Sequence, residues 1–181
     1  MANINQYFDA AFSRFLLEER ANVTGLASER NLCGQLSRIL NEDRQASQLD
    51  EFIADPEYNR QNLNQIKTII DDELNVITIT SDIVFHRRGH AGLENNLMAI
   101  EMKKSDQPLE KRNDDRNRLR ALTNQDVDSI QVLNGAPEHV RGYCLGVYLE
   151  LDVKTLVFTI EKYSNGEWAE TTNKTLPAAA G

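Results

Sequence analysis

The sequence predicts a single α/β domain built on a mixed sheet. Three observations predict it. Apolar residues recur at helical spacing between Ile4 and Leu40. Four runs rich in β-branched and apolar residues follow, at 76–85, 96–103, 143–151 and 155–163, and a charged helical segment at 109–122 stands between the second and third of them. A chain of 181 residues can bury one sizeable core but is too short for two ordinary domains.

Each element has a local reason. Residues 3–20 read as a helix because Ile4, Tyr7, Phe8, Ala11, Phe12, Phe15 and Leu16 share one face, with Asn3 or Asn5 able to cap it. A second helix runs from about Ser28 to Glu42, with Ser28 as N-cap and Leu32, Leu36, Ile39 and Leu40 as its stripe. Phe52 to Arg60 reads as a short edge strand, because Asp55-Pro56 is unsuited to a central one. Gln61 to Asp72 has some helical character. Val76 to Phe85 reads as one strand, and Asn96 to Lys103 as its hairpin partner across a glycine-containing turn. Leu109 to Leu122 is a charged helix, and Tyr143–Leu151 and Thr155–Tyr163 are strands. Trp168 is expected in the core or at an interface, and the tail 169–181, ending in Pro-Ala-Ala-Ala-Gly, is expected to fray.

Composition excludes several classes of function. Apolar runs are only a few residues long, so no membrane span is expected, and the N-terminus lacks the pattern of a signal peptide. Cys33 and Cys144 lie far apart without partners at metal-ligand spacing, so they read as two core thiols in a reducing, cytoplasmic compartment. A net charge of −8 works against coating nucleic acid by bulk electrostatics but leaves room for a local basic groove. The basic residues concentrate in 86–120. His86 and His90 flank Gly89 with no helix to align them, and do not read as a zinc pair.

One constellation carries chemistry. Asp82 lies on one strand, and Glu101-Met102-Lys103 follows nineteen residues later on the neighbouring strand. Side chains at i and i+2 share a strand face, so Glu101 and Lys103 point one way while Ile100 and Met102 enter the opposite apolar layer. Pairing the strands brings Asp82 beside Glu101. Two carboxylates facing a cleft repel each other and invite a divalent cation, and hard oxygen donors suit Mg²⁺ or Mn²⁺. On pattern alone, a solvated strand face is the competing reading. Asp152-Val153-Lys154 is a decoy at a hairpin turn, with no Asp on a preceding strand.

The stretch Ser81-Asp82-Ile83-Val84-Phe85-His86-Arg87-Arg88-Gly89, followed by Asn96-Leu97-Met98-Ala99-Ile100-Glu101-Met102-Lys103-Lys104, resembles the PD-(D/E)xK nuclease superfamily, which has the restriction-endonuclease-like fold. It is most similar to small bacterial members with a PDIIVHRRG…NLLVIEIKK core. The likeness covers about residues 28–163, in an αβββαβ order, and its specific part is 81–104. It implies that Asp82 and Glu101 are metal ligands with the Met102 carbonyl as a third. It implies that Lys103 orients or activates the attacking water, and that Glu29 on the first core helix adds an acidic group. Arg60 matches a strand position that can face the phosphate backbone, and Arg87, Arg88 and Lys104 are candidate nucleic-acid contacts. Ser81 replaces the usual proline, which is not a ligand.

The expectation is therefore a Mg²⁺- or Mn²⁺-dependent nuclease acting on nucleic acid, with DNA preferred. Its parts are an N-terminal helical extension (1–27), a nuclease-like core (28–168) and a tail (169–181). The aromatic stripe of the first helix is expected to pack onto the core or to form a homodimer interface. The alternative is a non-catalytic nuclease-fold module that binds or assembles within a larger complex.

Overall fold

A computed structural model describes residues 3–57, 60–61, 65–66, 68–70, 76–78, 81–88, 90, 93–125, 132–133, 136–137 and 142–178; for the short strands between 60 and 78 and between 132 and 137, only the backbone is described. Helices are α1 (Ile4–Glu18), α2 (Arg20–Thr24), α3 (Glu29–Asp43) and α4 (Leu109–Thr123). Strands are β1 (Ile53–Pro56), β2 (Arg60–Gln61), β3 (Gln65–Ile66), β4 (Thr68–Ile70), β5 (Val76–Thr78), β6 (Ile83–His86), β7 (Asn96–Lys104), β8 (Val132–Leu133), β9 (Ala136–Pro137), β10 (Leu145–Leu151), β11 (Val157–Ser164) and β12 (Glu167–Thr175). The main sheet runs β1-β6-β7-β10-β11-β12. Its neighbours are antiparallel except β7 and β10, which are parallel and connected through α4. The molecule is thus α/β with a six-stranded mixed sheet. Among the described residues no helix is long and apolar enough to cross a membrane.

Alternation along the strands sends side chains to two layers. Met98, Ile100 and Met102 of β7, with Val147 and Leu149 of β10, face α1 and α3 in the larger apolar cluster. Val84, Ala99 and Tyr148 face Leu119 and Leu122 of α4 in a smaller one. Gly146 lets α4 approach closely, because a Cβ there would stand 2.9 Å from Thr123 Cγ2.

Both N-terminal helices start where their caps predict. Asn3 Oδ1 accepts the Asn5 and Gln6 N–H groups, and Ser28 Oγ accepts that of Asn31. The aromatic face of α1 is consumed inside the chain. Phe12 stacks on Phe8 and Phe15 and meets Phe158 edge-on, and Tyr7 stacks on Phe85. The aromatic stripe of α1 is therefore packed onto the core rather than left free for a second copy.

Several sequence expectations are corrected. The run 76–85 is not one strand: β5 pairs with β4 in a separate two-stranded sheet, and Ser81-Asp82 precedes β6. Where 61–72 is described it is short strand rather than helix. The tail does not fray at 169, because β12 continues to Thr175 by backbone pairing with β11. All nine β12 residues are exposed, so the strand lacks the apolar alternation that would reveal it. Trp168, at 53% exposure, is outside the core, and Cys144 is exposed while Cys33 is buried. β1 is an edge strand ending at Pro56, as the Asp55-Pro56 step requires.

Asp55 ties that edge to the β6–β7 turn. It accepts from Arg88 Nε at 2.7 Å, lies 3.0 Å from His86 Nε2, and is itself buried. Burial pushes its carboxyl up, but hydrogen bonds from His86 and Arg88 outweigh burial and hold it at about 2. A carboxylate held below its unfolded value stabilises the fold above that value, and the contribution disappears as pH falls through the folded one. Asp55→Ala is expected to cost about 1–3 kcal/mol at neutral pH by removing the buried carboxylate that faces His86 and Arg88. In urea melts, the difference from wild type should be full above pH ~4 and shrink toward pH ~2.

Candidate active site

The site forms where β7 outruns β6. Ile83, the first residue of β6, pairs with Ile100, so Asp82 comes level with Glu101 and β7 continues to Lys104 paired only on its β10 side. Met102 and Lys104 then present edge N–H groups that β6 cannot accept. Two carboxylates take them. Asp82 Oδ2 accepts from Met102 N at 2.8 Å, and Glu29 Oε1 accepts from Lys104 N at 2.8 Å. Glu29 reaches the strand because it opens α3, directly after the Ser28 cap. The two acids thus have a structural task as well as a chemical opportunity.

Lys103 sits between the acids. Its Nζ lies 2.9 Å from Asp115 Oδ2, 3.9 Å from Glu29 Oε2 and 4.0 Å from Asp82 Oδ2, and donates to the Met102 carbonyl at 3.4 Å. Glu101 is on the same strand face and is 1% exposed beneath α4, where Arg118 Nη1 stands 3.0 Å from its Oε1. The expectation that Glu101 opens onto a cleft is therefore corrected: α4 covers it. The open cleft, about 520 Å³, is lined instead by Glu29, Arg30, Cys33, Gly34, Pro56, Glu57 and Asp82.

The electrostatics are strained in one direction. Glu29, Asp82, Glu101 and Asp115 face Lys103 and Arg118, so four acids meet two cations, an excess of two negative charges if all are ionised. Burial pushes the Glu101 carboxyl well up, against the pull of Arg118, and the neighbouring acids add to the rise. Burial also raises Asp82, against the Met102 N–H. Burial lowers Lys103, but Asp82, Asp115 and Glu29 outweigh it and hold the ammonium charged. Burial and the charges of Asp82, Glu101 and Glu29 raise the Cys33 thiol well above its usual range, which disfavours its thiolate.

These residues fit a hard divalent cation. Among the described residues no three His, Cys, Asp or Glu side chains form a ready metal group. The oxygen groups that could hold a cation there are the Asp82 and Glu101 carboxylates and the Met102 carbonyl. In an extended strand a residue's N–H and C=O point to the same neighbour, so the Met102 carbonyl faces the side on which Asp82 takes its N–H. Glu101 Oε1 is buried without an aligned hydrogen bond despite the nearby Arg118. Hard oxygen groups with more acids than cations around them would suit Mg²⁺ or Mn²⁺.

The basic candidates lie elsewhere. Arg88 pairs with Asp55, and Arg87 pairs with Glu51 and covers the Phe52 ring at 4.9 Å. They stand five and six residues beyond Asp82, past the opposite end of β6. Lys104 Nζ donates to the Leu26 carbonyl at 2.7 Å. The Arg60 side chain lies outside the described residues. Arg112 and Arg116 bind Glu150, and Arg116 also binds Glu161, so these α4 arginines pin the helix to the sheet. Asp152 Oδ1 accepts the N–H groups of Lys154 and Thr155 in the β10–β11 turn, confirming that triplet as a decoy.

Asp115 and Arg118 were not candidates from sequence, where α4 reads as a solvated helix. One signal was present. Asp115 stands at i relative to Leu119 (i+4) and Leu122 (i+7), so it lies on the helix's buried stripe. Compared with known protein families, curated proteins and solved structures, the chain gives no match.

Proposed function

We propose that this protein is a divalent-metal-dependent nuclease of restriction-endonuclease-like fold, hydrolysing phosphodiester bonds of DNA. One observation carries the reading: Asp82, Lys103 and Glu29 come together where β7 runs past β6, with Asp82 and Glu29 lining an open cleft and Glu101 next to Met102 on the same strand under α4. Asp82, Glu101 and the Met102 carbonyl would hold Mg²⁺ or Mn²⁺. When bound, the cation supplies Lewis acidity toward the phosphate and acidifies a water. Lys103 orients that water or offsets charge developing on phosphorus. Glu29, ahead of Lys104 and on the cleft wall, orients the Lys103 side from α3. DNA enters from the cleft, where Arg30 is the exposed cation, paired with Glu57 at 2.8 Å.

A specific observation favours a second reading. Glu101 is buried and ion-paired with Arg118, as expected of a module that keeps the fold without the chemistry. Thermal melts in millimolar Mn²⁺ separate the two. A cation bound only by the folded state raises the melting temperature by mass action. On the nuclease reading Mn²⁺ stabilises wild type and fails to stabilise Asp82→Asn. An equal Mn²⁺ effect on both proteins, or none on wild type, favours the module.

A further inference from the structure

The covered face of the site holds two charged residues that the reaction above leaves unused. Asp115 is 4% exposed on a helix face otherwise built from Leu119 and Leu122. A carboxylate in that position is costly unless paired. Its partners are Lys103 Nζ at 2.9 Å and Arg118 Nη1 at 2.8 Å, and the same Arg118 nitrogen lies 3.0 Å from Glu101 Oε1. Each of the two strand residues therefore meets one residue of α4, and those two are joined across one helical turn.

The distances show what this pairing does. Lys103 Nζ is an ångström closer to Asp115 than to Glu29 or Asp82. An ammonium and a divalent cation compete for the same carboxylates. Without Asp115, the tethered ammonium has Asp82, Glu29 and the Met102 carbonyl left to settle on. We propose that Asp115 is a positioning residue that holds the Lys103 ammonium off Asp82 and Glu29, keeping those carboxylates open to a divalent cation. This inference rests on the reading of Asp82 and Glu101 as metal ligands.

The test is a mutant cycle read by Mn²⁺ calorimetry on the full chain, without substrate. Asp115→Asn keeps the side-chain shape and removes the charge. It should weaken Mn²⁺ binding by ~10–100-fold, the usual effect of losing a group that orients a metal site. Lys103→Met in the same chain should restore the affinity, because the competitor is gone, so the two changes are strongly non-additive. Exposed Asp114→Asn is the control and should change nothing. If the double variant binds Mn²⁺ as weakly as Asp115→Asn, the proposal is overturned, since the loss then does not pass through Lys103. A second readout needs no metal: the ε-carbon NMR signal of Lys103, identified by its absence in Lys103→Met, should move in Asp115→Asn and not in Asp114→Asn. An unmoved signal overturns the proposal whatever Mn²⁺ does. A moved signal in a protein that binds no Mn²⁺ overturns the nuclease reading while upholding Asp115 as the holder of Lys103. Should Asp115→Asn not fold, Asp115→Thr takes its place in the cycle.

Discussion

Lys103→Met is expected to give a folded protein whose Mg²⁺-dependent cleavage of DNA falls by about 10²–10³-fold, the size of effect seen when one charge-stabilising group is removed from a water-poor site. The methionine keeps most of the stem packing, so the fold should lose only about 1–3 kcal/mol, the cost of leaving a buried acceptor short of one partner. Asp115 limits that loss, because Arg118 still holds it at 2.8 Å. Mn²⁺ binding should persist or tighten, since an ammonium 4.0 Å from Asp82 has gone. Lys103→Arg should not rescue cleavage, because a planar fork cannot replace a compact ammonium among three carboxylates. The assay is plasmid and single-stranded cleavage by both proteins, with thermal melts as the folding control. Equal cleavage by wild type and folded Lys103→Met would falsify the catalytic role of Lys103 and shift the case to the non-catalytic module.

Phe12→Ala should produce the largest loss of stability of any single change considered. Phe12 is 1% exposed and touches three other rings, Phe8 and Phe15 on its own helix and Phe158 of β11. Truncating a buried phenylalanine removes its transfer free energy and leaves a cavity, together about 3–5 kcal/mol. Domains of this size are stable by only about 5–15 kcal/mol, so the variant should lose a large share of the total. Urea titration followed by circular dichroism measures the change. A loss below about 1 kcal/mol would mean that α1 is an accessory to the fold rather than part of its core. Phe12→Leu should recover much of the loss, because it keeps most of the apolar volume.

The α1 result also shows which features were legible in the chain. Its aromatic stripe at helical spacing, the Asn3 and Ser28 caps, and the β6–β7 hairpin are all local patterns, and local patterns are what residue spacing encodes. The placing of Asp82 against Glu101 followed from one hairpin and period-2 alternation. The strand β12 was invisible for the converse reason. Its pairing is made by backbone groups that every residue carries, so a run of nine exposed residues from Glu167 to Thr175 leaves no side-chain signal.

What the sequence by itself determined was the order of α1, α3, β6, β7, α4, β10 and β11, the two-layer alternation of β7 and the acidic residues that gather at its end. What only the tertiary structure decided was how that end is covered. The parallel pairing of β7 with β10 places α4 over Glu101, and Gly146 lets it lie close. That contact buries Glu101, brings in Asp115 and Arg118, and spends the α4 arginines on Glu150 and Glu161 rather than on a nucleic acid. Ion pairs between a helix and strands twelve to forty-five residues away depend on the docking of whole elements, which no local spacing specifies; the charges of α4 acquire their partners only when the helix packs.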